Sequence, residues 1–160
     1  ICGKKSLIQK IHKNPLYRAL RSGKFTFAVL EAILRTYQTP TKIQDENLLL
    51  TLFKRSQEDL LEVGLKLINN IPSKLVKLYG IEAISTVVEA GSGSLPLEIL
   101  PSVALQFNGK IKAMELSRQF RMADTPVIGY IKGNKFYIDL KAIPPNQEKQ
   151  LLNTLKSILS

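Results

Sequence analysis

Two arginines, Arg18 and Arg21, are the side chains of this sequence best suited to a specific chemical task. The guanidinium group is planar and donates paired hydrogen bonds, which suits phosphate-like and carboxylate anions. No acidic residue precedes Glu31, so no nearby carboxylate in the chain neutralises the pair. On one helix, a spacing of three residues places both side chains on the same face. The pair therefore predicts an anion-binding site, although arginines at this spacing also occur on ordinary solvated helices.

Positive charge is concentrated at the start of the chain. The 160 residues contain 23 Lys and Arg against 13 Asp and Glu, a formal net charge of +10. Seven of these cations fall in the first 24 residues, namely Lys4, Lys5, Lys10, Lys13, Arg18, Arg21 and Lys24. Such an excess favours polyanionic partners, while a solvated helix face explains the lysines equally well.

Several kinds of chemistry are not supported by the composition. Cys2 and His12 are each the single residue of their type, so a disulfide, a zinc site or a Ser-His-Asp triad is not predicted. We therefore expect no metal. The sequence has no apolar run of the ~20 residues that cross a bilayer and no signal peptide at its start. These features predict a cytoplasmic protein without a membrane anchor.

One glycine-rich loop, Gly91-Ser92-Gly93-Ser94-Leu95-Pro96, interrupts the second half of the chain. It lacks the Lys-Ser/Thr pair of a phosphate-binding loop, and Pro96 stands where a dinucleotide-binding motif has its third glycine. By pattern alone, this loop is typical of a linker between strands.

Three helices are predicted in the first 40 residues. Apolar spacing indicates a helix over residues 6–13, and Asn14 and Pro15 suit the N-cap and first position of a second helix carrying both arginines. Ser22 and Gly23 end that segment. A longer helix over residues 25–37 has an apolar stripe that needs a covering layer, formed by Phe27, Leu30, Leu34 and Tyr37.

The rest of the chain predicts an α+β domain with an antiparallel sheet covered by helices. Residues 38–41 indicate a boundary between domains. Ser56 and Asp59 predict a capping box at the start of a helix. Gly133-Asn134 predicts a two-residue hairpin turn, and Asn146 is the predicted cap of the last helix. The predicted helices cover residues 47–54, 57–71 and 113–122, and the predicted strands cover residues 84–89, 102–107, 127–132 and 135–140.

Three blocks of the sequence closely resemble bacterial selenocysteine synthases, the L-seryl-tRNA(Sec) selenium transferase family. The first runs from Asn14-Pro15-Leu16-Tyr17-Arg18 through Arg21 to Leu30-Glu31-Ala32-Ile33-Leu34. The second is the Gly91–Pro96 loop with Leu100-Pro101-Ser102, and the third is Thr125-Pro126-Val127-Ile128-Gly129. The three blocks occur in the same order as in the family, and the resemblance covers essentially the whole chain.

The resemblance implies the C-terminal part of a fold-type-I pyridoxal-phosphate enzyme that converts seryl-tRNA(Sec) with selenophosphate. Residues 1–40 would be the tail of the large catalytic domain and residues 41–160 the small domain. The family's Schiff-base lysine is expected before Ile1, so no catalytic residue is expected in this chain, which alone should be inactive and not covalently bound to cofactor. Arg18 and Arg21 would hold an anionic substrate group, Gly91, Gly93 and Ser94 would belong to an active-site loop, and the enzyme would be a homo-oligomer.

The chain departs from the family pattern at three positions, and two other functions stay open. Gly23 replaces a common aspartate, and Tyr130 and Lys141 stand where arginine is common. One alternative is a basic RNA-binding module that uses the N-terminal lysines without a cofactor. The other is the small domain of another fold-type-I lyase acting on sulfur amino acids.

Overall fold

A computed structural model of the chain describes residues 3–38, 47–89 and 99–160. The chain divides into two compact units, residues 1–47 and residues 48–160. In the parts that the structure describes, helices are too short or too polar to cross a bilayer.

The first unit contains helices α1 (Lys5–Lys13), α2 (Leu16–Ala19) and α3 (Lys24–Thr36). The Asn14 side chain accepts a hydrogen bond from the Leu16 amide at 2.9 Å, as expected of a capping residue, although Pro15 rather than Asn14 directly precedes α2. The prediction that Arg18 and Arg21 share one helix face is wrong, because α2 ends at Ala19 and Arg21 lies beyond it. A segment this short, between Pro15 and Gly23, sustains one helical turn before the chain extends into α3.

Three helices begin the second unit: α4 (Leu48–Lys54), α5 (Gln57–Asn69) and α6 (Ser73–Tyr79). Ser56 and Asp59 form the predicted capping box at the start of α5, with each side chain bonded to the other residue's amide. Helix α6 is not among the helices predicted from the sequence. Pro72 directly precedes α6, and Gly80 ends it in the left-handed conformation that glycine adopts without strain.

A four-stranded antiparallel sheet follows, with strands β1 (Ile81–Glu89), β2 (Ile99–Phe107), β3 (Tyr130–Lys132) and β4 (Lys135–Asp139) in the order β1-β2-β4-β3. Gly133 and Asn134 both have positive φ, 56° and 60°, which confirms the tight hairpin between β3 and β4. Strand β3 is shorter than predicted because Val127 donates its amide to the Phe120 carbonyl instead of a neighbouring strand. The predicted antiparallel sheet is therefore present.

The core lies between this sheet and the helices, including α7 (Ala113–Arg121) and α8 (Glu148–Leu159). Phe107, Phe120 and Phe136 pack together with ring centroids 5.4–5.6 Å apart, which joins α7 to two strands. The prediction that Asn146 caps the last helix is wrong. Asn146 lies inside a 3₁₀ turn, Pro145–Gln147, because α8 begins only at Glu148. The observed architecture confirms the α+β class.

A cluster of charged side chains, one buried and the others half-buried, lies at the end of β4. Arg55 forms a 2.7 Å salt bridge with Glu148, and the Lys141 amine donates to the Arg55 carbonyl at 2.9 Å. Oδ1 of Asp139 accepts hydrogen bonds from the Ser102 hydroxyl and the Lys141 amide, whereas its Oδ2 has no partner among the described residues. Burial is the main cause that raises the pKa of Asp139, and burial lowers the pKa of Lys141.

Asp139→Asn is expected to change how stability depends on pH. The folded state raises the pKa of Asp139. The stability that protonated Asp139 contributes is therefore fully present below the unfolded pKa near 3.8 and is lost as pH rises through the pKa of the folded state. The free energy of unfolding of the original chain relative to Asp139→Asn should therefore fall as pH rises above about 4, as measured by urea denaturation. The exposed Asp124→Asn is the control, and an equally pH-dependent difference for it would contradict the assignment.

Candidate anion-binding site

The turn between α2 and α3 forms a pocket of about 410 Å³. Its lining residues are Arg18 on α2, the connecting Arg21, Ser22 and Gly23, and Lys24 and Phe27 of α3. The two predicted arginines are thus brought to one pocket by a turn rather than by a shared helix face. Lys24 joins them as a third cation, which the sequence interpretation did not assign to the site.

The charges of this pocket are not neutralised within the described part of the chain. Arg18, Arg21 and Lys24 are exposed and form no salt bridge there. Glu31 on α3 is held by Arg35 at 2.6 Å. The three side chains are therefore available to give charge-assisted hydrogen bonds to an anion at this pocket.

The start of α3 faces the same residues. Its N-cap, Gly23, has no side chain to accept hydrogen bonds from the first-turn amides, and that turn contains no acidic residue. Amides at a helix start carry partial positive charge and lack partners within the helix. The backbone thus adds to the positive field that the side chains create.

The other predicted site residues lie elsewhere. Gly91, Gly93 and Ser94 fall outside the described residues, so the active-site loop stays a prediction. Tyr130 stacks on Tyr137 with ring centroids 5.0 Å apart. Lys141 is only 5% exposed and belongs to the charged cluster at the end of β4. Tyr130 and Lys141 therefore both have structural contacts in the second unit.

The cationic donors that line the pocket suit an anion. Within residues 3–38, 47–89 and 99–160, His, Cys, Asp and Glu side chains form no group of three that could hold a metal. Lys141, the buried lysine, has its amine bonded to a backbone carbonyl, which does not suit attachment of a carbonyl-containing cofactor. The positive charges of Arg18, Arg21 and Lys24 match the anionic part of a cofactor or substrate.

Beside this pocket, α3 presents an apolar surface that we call the α3 face, formed by Phe27, Leu30, Leu34 and Tyr37. These side chains are 48–59% exposed, and three of them line a groove with Glu31, Arg35 and Gln38. The stripe that the sequence predicted on this helix is therefore present, and no element within residues 3–38 covers it.

Comparison with known proteins identifies similar sequences over the whole chain. The model of the L-seryl-tRNA selenium transferase family matches residues 1–144. A protein of Shewanella oneidensis named L-seryl-tRNA(Sec) selenium transferase is 35% identical over 162 residues, covering 99% of this chain. Proteins of the same name from Photorhabdus laumondii and Serratia proteamaculans are 36% and 35% identical, over 97% and 98% of the chain.

These relatives are much longer than the chain. The matched region is 33% of the Shewanella oneidensis protein and 34% of the other two. The chain therefore spans about a third of the length of the curated relatives that it matches.

Proposed function

Because the chain belongs to the L-seryl-tRNA selenium transferase family, we propose that it forms the part of a selenium transferase that holds an anionic substrate group. The observation that supports this most is the pocket in which Arg18 and Arg21 meet without a neutralising carboxylate. The full-length enzyme would convert seryl-tRNA(Sec) to selenocysteinyl-tRNA(Sec) with selenophosphate, in the cytoplasm and as a homo-oligomer.

Pyridoxal phosphate is the proposed cofactor of the full-length enzyme, where it supplies an electron sink for breaking bonds at the seryl group. The residues of this chain have a different task. Arg18 and Arg21 fix the position of an anionic group through directional hydrogen bonds, and the turn before α3 keeps the two guanidinium groups at one pocket. Positioning and charge stabilisation are therefore what this chain contributes to the reaction.

We further propose that residues 1–40 belong to the large catalytic domain and that residues 41–160 form a small domain. The separation of the chain into two compact units supports this division. Gly91, Gly93 and Ser94 remain the proposed active-site loop of the small domain.

Turnover by the full-length polypeptide that carries this sequence tests the proposed function. Seryl-tRNA(Sec), selenophosphate and pyridoxal phosphate should together give selenocysteinyl-tRNA(Sec), detected by incorporation of labelled selenium. Omitting pyridoxal phosphate from cofactor-depleted enzyme should abolish the product. Product formation without selenophosphate, or none with all components, would contradict the proposal.

The α3 face should make the 160-residue chain self-associate, because exposed apolar side chains at one surface favour contact with a second apolar surface. The double variant Leu30→Glu/Leu34→Glu is expected to shift sedimentation velocity profiles towards monomer. Leu65→Glu, at a similarly exposed leucine of α5, is the matched control and should leave association unchanged. A strictly monomeric original chain at high concentration would contradict this prediction.

A further inference from the structure

We propose that the β3–β4 hairpin binds unpaired nucleotides of RNA, with a base stacked on Tyr130 and the phosphates held by Lys132 and Lys135. The binding surface, which we call the hairpin surface, is formed by these three residues and Tyr137. It belongs to the second unit, whereas the candidate anion-binding pocket belongs to the first. The choice of RNA rests on the proposed function, in which the substrate is a tRNA.

The register of β3 and β4 places the four side chains on one face of the sheet. Tyr130 is paired with Tyr137, and Lys132 is paired with Lys135. Successive side chains of a strand point to opposite faces of a sheet. Because Phe136 is fully buried in the core, its two neighbours in β4 lie on the face that is turned away from the core. The hairpin surface is therefore one patch at the β3 edge of the sheet.

The two tyrosines form an aromatic stack that a base can extend. The ring centroids are 5.0 Å apart, and the ring planes differ by 7°. Tyr137 is held in place because its hydroxyl donates a hydrogen bond to the Gln106 side chain at 3.1 Å. Tyr130 is 39% exposed. Aromatic rings stack on bases of any identity, and unpaired bases are free to stack, so the pair suits single-stranded RNA.

The two lysines create a positive charge that a polyanion would compensate. Lys132 and Lys135 lie directly opposite each other, an arrangement of like charges that destabilises a sheet. Neither lysine forms a salt bridge with any residue that the structure describes. Of the acidic residues on this face of the sheet, Glu82 lies on β1 at the opposite edge, and Asp139 lies at the other end of β4. The phosphates of an RNA strand would reduce the repulsion between the lysines.

Charge also distinguishes RNA from other occupants of the hairpin surface. In a two-fold dimer through this surface, the same patch would face itself, so the lysines of both copies would repel each other. The net charge of +10 adds to that repulsion. An acidic peptide would compensate the lysines but would not use the exposed aromatic ring. Unpaired RNA supplies both a negative backbone and bases that stack.

The test of the aromatic stack is fluorescence anisotropy of the 160-residue chain with a short unstructured RNA and, separately, with an RNA duplex of the same length. Tyr130→Leu should weaken binding of the single strand by about 5- to 150-fold, the usual range for loss of one base–aromatic stack. Binding of the duplex should change much less, because its bases are already stacked. Tyr130→Phe keeps the ring and should keep most of the affinity. Phe53→Leu, at an aromatic residue of α4 that is 38% exposed, should behave like the original chain.

The salt dependence of binding tests the role of the lysines. Each phosphate contact on a single strand contributes about 0.7 to the slope of log affinity against log salt concentration, so Lys132→Gln/Lys135→Gln should make that slope less steep by about 1.4. Tyr130→Leu should leave the slope unchanged. Lys149→Gln/Lys156→Gln removes two exposed lysines of α8 and should also leave it unchanged.

Three results would overturn the proposal: unchanged single-strand affinity in Tyr130→Leu, equal losses for single strand and duplex, or self-association of the chain that Tyr130→Leu abolishes. The last result would assign the hairpin surface to a second copy of the chain. If RNA binding does not depend on Tyr130 but Arg18→Ala and Arg21→Ala lower turnover, only the hairpin surface fails. If RNA binding depends on Tyr130 but the full-length protein has no turnover, only the proposed function fails.

Discussion

Replacing Arg18 or Arg21 by alanine in the full-length transferase should lower the turnover of seryl-tRNA(Sec) with selenophosphate by about 100- to 1000-fold. This is the usual loss when a preorganised charge contact is removed from an active site. Folding should be almost unaffected, because both side chains are exposed and lack a salt-bridge partner among the described residues. A large loss of activity with a nearly constant melting temperature is therefore expected.

Conservative substitution separates charge from geometry at this site. Arg21→Lys keeps the charge but loses the planar fork, so its turnover should remain well below that of the original enzyme. Lys10→Ala and Lys13→Ala on α1 are the matched controls, because they remove exposed cations that do not line the pocket. Near-normal turnover in all arginine variants would indicate that the pair lies on an ordinary solvated surface and does not bind the substrate anion.

Phe120→Ala should destabilise the second unit by about 3–5 kcal/mol, the usual cost of removing a fully buried aromatic side chain. Phe120 is completely buried, and its ring stacks on Phe136 at a centroid distance of 5.4 Å. Its loss would leave a cavity between α7 and the sheet. Much of the stability of a small domain would be lost, since the total is typically only about 5–15 kcal/mol.

Chemical denaturation monitored by circular dichroism measures this effect. Met122→Ala is the matched control, because Met122 directly follows α7 and is 77% exposed. Its free energy of unfolding should change by less than about 0.5 kcal/mol. Equal effects of the two substitutions would show that the aromatic cluster does not hold α7 to the sheet.

The features that sequence predicted well depend on local interactions. The capping box of Ser56 and Asp59, the Asn14 hydrogen bond and the Gly133-Asn134 turn each involve residues within four positions of one another. Their backbone requirements can be read from residue type alone. The spacing of the arginine pair, by contrast, wrongly predicted a shared helix face, although both residues line one pocket.

The features that sequence missed depend on chain geometry or on distant contacts. The pocket forms because α2 ends after one turn, which also brings in Lys24 from the next helix. Lys141 is buried through contact with the carbonyl of Arg55, a residue 86 positions away. No local pattern specifies such a pairing, so the charged cluster could be found only from the folded chain.

The most direct test of the central claim is a double-mutant cycle on turnover in the full-length enzyme. If Arg18 and Arg21 hold the same anionic group, the removal of either arginine already abolishes most of the positioning of that group. Arg18→Ala/Arg21→Ala should then be only slightly slower than the slower single variant. Losses that multiply fully, or a double variant with near-normal turnover, would contradict binding of one anion by both arginines.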